Sequence, residues 1–181
     1  LTAYKDFLPE RKDGDMGIIC QPLDFLGVNL YYGTKIAHDP VTTVRFSKKK
    51  TGYPATALQW PIEPEALYYM PKFLQERYNL PIYITENGMT NVDWKSLDSK
   101  VHDPQRIDFL HRYILQLKRA AVEGIDIRGY FCWSFMDNFE WNHGYSQRFG
   151  LIYVDYPTQE RIWKDSAYWY KNVIESNGEM L

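Results

Sequence analysis

Glu86 ends an apolar, β-rich run, Ile82-Tyr83-Ile84-Thr85, and is followed at once by Asn87 and Gly88. Pro81 marks the start of the run, and Gly88 permits the turn after it. A buried strand ending this way delivers a carboxylate to the rim of a sheet. There it can act as a nucleophile, a general base or a metal ligand. The plainer alternative is a strand-end acid bonded to its own turn. Other polar groups bear on that choice. Asn29 and Tyr31 fall late in a second apolar run, Leu23 to Tyr32. Trp133 and Ser134 fall late in a third, from Ile127 to about Phe135, and Glu140, Trp141 and Phe149 follow it.

Helical patterns separate these runs. A helix is expected from Pro64, which suits a first helical position, with Leu67, Met70 and Leu74 as its stripe. Pro71 inside the pattern should kink or restart it. Asp103 reads as an N-cap ahead of Pro104, opening a long helix. Its apolar face is Ile107, Leu110, Ile114, Leu117 and Ala121, and Gly124 closes it. A last helix is expected from Asp165-Ser166 to about Glu175, after a short strand at Ile152–Val154. The stretch to about Gln21 reads as a helix tail and a loop. A second, long loop runs to about Glu63, and loops of that length without structure of their own are usually functional or disordered. Lys48-Lys49-Lys50 within it reads as solvated.

Strands alternating with helices predict right-handed βαβ units, a parallel sheet and an α/β fold. No repeat, low-complexity tract or composition shift divides residues 1–181, so one domain is expected. All strands of a parallel sheet point the same way, and their C-terminal ends gather functional groups on one face. Here that face would hold carboxylates, an amide, a phenol and several aromatics, with no cation or thiol nucleophile. This set suits a carbohydrate, whose C–H faces pack on tryptophan while its hydroxyls bond carboxylates and amides. Phe135 and Phe139 read as simple core packing. Trp133, Glu140 and Trp141 do not, because a buried charge needs partners.

The bulk properties set limits. A chain of 181 residues, 45% hydrophobic and 17% aromatic, can bury a real core. A net charge of -2 gives no electrostatic reason to expect nucleic acid or an anionic membrane surface as partner. No apolar stretch is long enough to span a membrane. Cys20, Cys132 and the four scattered histidines fit neither a disulfide framework nor a metal-ligand spacing, so no metal and no cofactor are expected. No signal peptide is visible. The chain opens on Leu1 rather than Met, so its native N-terminus is expected upstream. The expected compartment is the cytoplasm, with secretion left open.

The chain resembles glycoside hydrolase family 1, the retaining β-glucosidases, over nearly its whole length. Tyr83-Ile84-Thr85-Glu86-Asn87-Gly88 resembles the family's nucleophile segment. Trp133-Ser134-Phe135-Met136-Asp137-Asn138-Phe139-Glu140-Trp141 resembles its sugar-binding segment, continued by Arg148 to Tyr156. Asp24 to Asn29 with Tyr31 resembles the sixth barrel strand, with Leu30 where the family usually has tyrosine. Trp60, ahead of Pro64-Glu65, resembles a tryptophan before the sixth helix.

The resemblance implies the C-terminal part of a (β/α)8 TIM barrel, strands six to eight in about three βα units, incomplete as a barrel on its own. It implies Glu86 as the nucleophile, with Tyr31 hydrogen-bonded to it and Asn29 near the same centre. Trp133 would floor the glycone site, Glu140 would bind the ring's outer hydroxyls, and Trp141 would donate its indole N–H. Phe149 would wall the pocket and Trp60 would stack on the aglycone. Glu140 would repel a phosphate dianion, which favours an unphosphorylated glucoside, galactoside or fucoside, glucose first.

The family's acid/base motif, of the Thr-x-Asn-Glu-Pro type, does not occur here. A complementary N-terminal barrel fragment, or self-association, is therefore expected alongside a β-glucoside or oligosaccharide substrate. A non-catalytic carbohydrate-binding module and a purely structural fragment are the competing expectations.

Overall fold

β-branched and aromatic residues fit a pleated, half-buried surface, and the three such runs build the sheet of this protein. The computed structural model describes residues 9–10, 12–47 and 51–181. The Lys48-Lys49-Lys50 loop, and most of the expected N-terminal helix tail, lie outside the described residues. In chain order the elements are α1 (Asp15–Ile19), β1 (Leu26–Asn29), β2 (Ile36–Asp39), β3 (Thr43–Phe46), α2 (Ala66–Tyr78), β4 (Ile82–Asn87) and α3 (Pro104–Val122). They continue with β5 (Ile127–Cys132), a 3-10 turn (Trp141–His143), β6 (Ile152–Val154), β7 (Arg161–Trp163) and α4 (Asp165–Glu175).

The expected α/β unit is present. β1, β4 and β5 form a parallel sheet in that order, with β4 central. Ile82 and Ile84 alternate inward and are fully buried against Leu67 of α2, Leu110 and Tyr113 of α3 and Ala167 of α4. The opposite face is open: Asn29, Thr85 and Phe131 are exposed on it. Among the described residues, the outer edges of β1 and β5 carry no partner strand. Three strands with helices packed on one face do not close into a barrel.

The structure corrects several readings. The long loop after β1 contains an antiparallel hairpin, β2 with β3, with Ile36 opposite Phe46. Asp39 closes its turn by accepting hydrogen bonds from the amides of Val41 (2.9 Å) and Thr42 (2.8 Å). Pro71 does not restart α2, which is one helix through it. Its ring is buried, and the single hydrogen bond lost to the Leu67 carbonyl is tolerated where α2 packs on α3. The buried stripe of α3 contains Ala120, not Ala121, because 3.6 residues per turn bring 113, 117 and 120 into line.

Asp103 stands at the N-cap of α3 but makes no side-chain cap bond. Its carboxylate accepts from Arg106 and from the Ser166 amide and hydroxyl (2.8 and 2.6 Å). β5 ends at Cys132, short of Phe135. β6 pairs antiparallel with β7, which at three residues is too short to give a strand signal. Phe135 and Phe139, expected in the core, are 66% and 57% exposed. The segment that holds them lies over the sheet rim, and Phe139 packs edge-on against Tyr145 instead.

His102 ties the loop after β4 to the start of α4. Its Nδ1 lies 2.7 Å from Asp165 Oδ2 and its Nε2 lies 3.0 Å from Asp98 Oδ2. Two carboxylates can both accept only from a doubly protonated ring. Hydrogen bonds to Asp165 and then Asp98 accordingly raise the His102 pKa. A raised folded-state pKa gives stability that is complete below the unfolded value, about 6.5, and is lost as pH climbs through the folded one. His102→Ala should therefore lower the unfolding midpoint at pH 5.5 and leave it unchanged at pH 9. Equal losses at both pH values would refute an ionic clamp.

Candidate active site

The irregular end of β4 decides where Glu86 points. Strict alternation would send Glu86 into the core behind Ile82 and Ile84. Register shifts between Val28 and Asn29 on β1, and between Ile84 and Asn87 against β5, break that alternation. Asn87 takes the buried position instead. Its amide donates to the Leu30 carbonyl (2.8 Å) and accepts from the Tyr130 hydroxyl (2.8 Å), so one side chain ties together the ends of all three strands. Glu86 is left half-buried, and the Tyr31 hydroxyl donates to its Oε2 at 2.6 Å. Burial, and then the bond to Glu86, push the Tyr31 phenol far up, so it stays a donor. Asn29 is the register partner of Glu86 across the two strands and accepts from the Thr85 hydroxyl at 2.7 Å.

Aromatic rings hold the pair from one side. The Tyr31 ring meets Trp60 edge-on at 5.2 Å and Phe149 at 6.0 Å, and Trp60 lies 6.0 Å from Phe149. Phe149 is 3% exposed, so it supports Tyr31 and Trp60 from behind. Beyond Trp60 a cavity of about 520 Å³ opens between Tyr32, Lys35, Tyr53 and Glu63. A second, of similar volume, runs along α2 past Tyr69 and Phe73. Neither is lined by Glu86.

The segment after β5 completes the constellation. The Trp133 amide donates to the Asn87 carbonyl at 2.8 Å. Gly88 has to be glycine here, because a Cβ would sit 1.8 Å from the Trp133 carbonyl oxygen. The Ser134 amide donates to Phe149, and the Leu151 amide donates to Ser134. Gly150 passes so close beneath Asp137 that a Cβ would lie 2.1 Å from the Asp137 nitrogen. The loop ends in a tight turn in which Glu140 donates its amide to the Gly144 carbonyl (2.7 Å). Glu140 is half-buried, and its carboxyl is raised by burial, eased by His143 and raised again by the charge of Glu86. The charge of Glu86 is thus felt at Glu140 on the same rim. Trp141 is 80% exposed beside them.

Of the eight residues singled out from sequence, Tyr31, Glu86, Trp60 and Phe149 are linked by the bonds and ring contacts above, and Asn29 is paired with Glu86 in the strand register. Trp133 joins them through Asn87, and Glu140 through the charge it exerts on Tyr31 and the charge of Glu86 that it feels. Among the described residues Trp141 has no ring contact, and it projects outward. Burial pushes the Cys132 thiol up to about 12, so it stays protonated and is no nucleophile. Among the described residues, no cluster of histidine, cysteine or acid side chains is placed to hold a metal ion.

Sequence reasoning missed Asn87 as the buried tie, and Arg106, whose spacing of four from Leu110 placed a charge in phase with the apolar stripe of α3. That phase was the available signal. Lys164 offered none.

Two adjacent parallel strands thus present a carboxylate and its phenol donor, with tryptophans and a second carboxylate around them. The family model "Glycosyl hydrolase family 1" matches residues 2–179. The chain is 48% identical over 179 residues to the 1,4-beta-D-glucan glucohydrolase of Thermotoga neapolitana, covering 98% of this chain and 40% of that protein. It is 43% identical over 181 residues to the bifunctional beta-D-glucosidase/beta-D-fucosidase of Bifidobacterium breve, covering 90% and 39%. The structure of the beta-glucosidase from Thermotoga maritima in complex with glucoimidazole matches with a TM-score of 0.88 at 47% identity, over 98% of this chain and 40% of that one. The chain therefore spans about 40% of the length of the relatives it matches. By a family match that runs almost end to end, the chain belongs to glycosyl hydrolase family 1.

Proposed function

We propose that this chain is the C-terminal part of a retaining β-glucosidase barrel, with Glu86 as nucleophile and the acid/base carboxyl supplied by the part of the barrel that it lacks. The observation that carries the reading is the 2.6 Å bond from Tyr31 to Glu86 across two parallel strand ends. Tyr31 occupies Oε2 and leaves Oε1 as the attacking oxygen. Glu86 attacks the anomeric carbon while the acid/base protonates the departing glycosidic oxygen, giving a covalent glycosyl-enzyme. Water, deprotonated by the same group, then displaces Glu86 and releases the β-sugar.

The remaining residues position the sugar. Trp133 lies under the ring, Glu140 and Trp141 take its outer hydroxyls, Trp60 meets the aglycone, and Asn29 lies beside the reacting centre. Phe149 backs the aromatic wall. Glu140 keeps a phosphorylated glycone out by charge, so the substrate is an unphosphorylated β-glucoside. The open sheet face and the two free strand edges suit a complementary barrel segment.

The test pairs native mass with hydrolysis of an aryl β-glucoside. The chain by itself is expected to be slower by at least the contribution of leaving-group protonation, about 10²–10⁴-fold. The complete protein is expected to hydrolyse with retention. Equal rates would remove the missing acid/base from the scheme. Saturable binding of a β-linked disaccharide without turnover in the complete protein would make this a binding module.

A further inference from the structure

Behind the sugar-binding segment lies a cluster of six charged side chains outside the site described above. Asp93 comes from the loop after β4, and Asp103 and Arg106 from the start of α3. Asp137 and Arg148 flank the Glu140 turn, and Lys164 is the last residue before α4. All are fully buried except Arg148, whose side chain is 16% exposed. Three acids balance three bases. Arg106 donates to Asp103, to Asp93 (2.7 Å) and to the Arg148 carbonyl (3.0 Å). Lys164 Nζ is shared, 2.7 Å from Asp93 Oδ2 and 2.8 Å from Asp137 Oδ1. One ammonium thus joins the loop that leaves Glu86 to the loop that carries Glu140.

Asp137 converts that anchor into loop geometry. Its Oδ1 also accepts from the Gly150 amide (2.9 Å), and its Oδ2 from Arg148 Nη1 (2.5 Å). Its own amide donates to Ile152 (2.9 Å). Glu140 follows three residues later. Buried ion pairs are poor stabilisers compared with packed apolar side chains of the same volume. What they supply is direction: an ammonium fixes two carboxylates at hydrogen-bond length, which an apolar contact cannot do.

We propose that Lys164 is a positioning residue for Glu140: by fixing Asp137 it sets the height of the Trp133–Trp141 segment over the glycone. This rests on the reading of Glu140 as the binder of the ring's outer hydroxyls. Lys164 touches no substrate and acts through Asp137.

The test is a double-mutant cycle in the complete protein that carries this chain, with an aryl β-glucoside as substrate. Lys164→Met should raise KM about 10-fold, the low end for losing one hydrogen bond to a charged group, and change kcat less. Lys164→Met with Asp93→Asn, which keeps the cluster neutral, should do the same. Lys164→Arg should restore KM to within about threefold, since it keeps the charge and two donors. In a Glu140→Ala background, Lys164→Met should add less than twofold, because two residues acting through one contact are not additive.

Additive losses, or an unchanged KM in a folded Lys164→Met protein, would overturn the proposal. So would failure of both Met variants to fold, which would make Lys164 purely structural. A wild-type protein that does not hydrolyse the glucoside refutes the glycosidase reading instead, and does so before any variant is made.

Discussion

Glu86→Ala should lower aryl β-glucoside hydrolysis by the complete protein by at least about 10⁴-fold, the scale set by removing an enzymatic nucleophile. The strand end that carries Glu86 is fixed independently of its carboxylate. Asn87 bonds both neighbouring strands, and the Glu86 carbonyl accepts from the Leu30 amide at 2.9 Å. The variant should therefore fold and leave a void facing the open Tyr31 hydroxyl. A small anion such as azide can enter that void and attack the anomeric carbon from the side where Glu86 stood. Addition of azide should restore turnover and give the α-glycosyl azide, whereas the wild type should release the β-sugar. Anomer-resolved NMR reads both products. A β-azide, or residual hydrolysis within tenfold of wild type, would show that Glu86 is not the attacking group.

Arg106→Met should be the most destabilising single change in the charged cluster, at about 3–5 kcal/mol by urea unfolding. Burial alone would raise Asp93, yet Arg106 and then Lys164 hold it below the usual carboxylate range. Asp103 is raised by burial even with Arg106 beside it. Without the guanidinium, Asp103 keeps only Ser166, and two carboxylates are buried for one remaining direct cation, Lys164. Arg112→Met is the control. Arg112 bonds Asp108 at the same 2.7 Å, but both side chains are more than 60% exposed, and solvent screens the pair. Its midpoint should not move measurably. A similar fall in both variants would mean that loss of arginine packing, not loss of buried charge compensation, is what the protein feels.

Much of this was legible in the chain because it rests on local pattern. β4, α3 and α4 announce themselves through alternating β-branched residues, a 3.6-residue stripe and a Pro or Asp-Ser start. The strand-end carboxylate, the late Tyr31 and the Trp133–Trp141 segment follow from the parallel sheet those elements require. The misreadings share a cause. Phe135 and Phe139 are apolar and on composition belong inside, but their exposure depends on where a segment with no period of its own crosses the rim. The β2–β3 hairpin and β7 are four and three residues long, too short for periodicity to register.

Sequence by itself determined which residue types arrive at the C-terminal ends of three strands, and therefore that a carboxylate, a phenol and tryptophans share one rim. Only the tertiary structure decided how they meet. Register shifts at Glu86 turn it from the core toward Tyr31, 55 residues away. Lys164 meets Asp93 across 71 residues and Asp137 across 27. Periodicity records which face a side chain takes on its own element. Partners that far apart along the chain are chosen by packing and by the demand that every buried charge find its counter-charge.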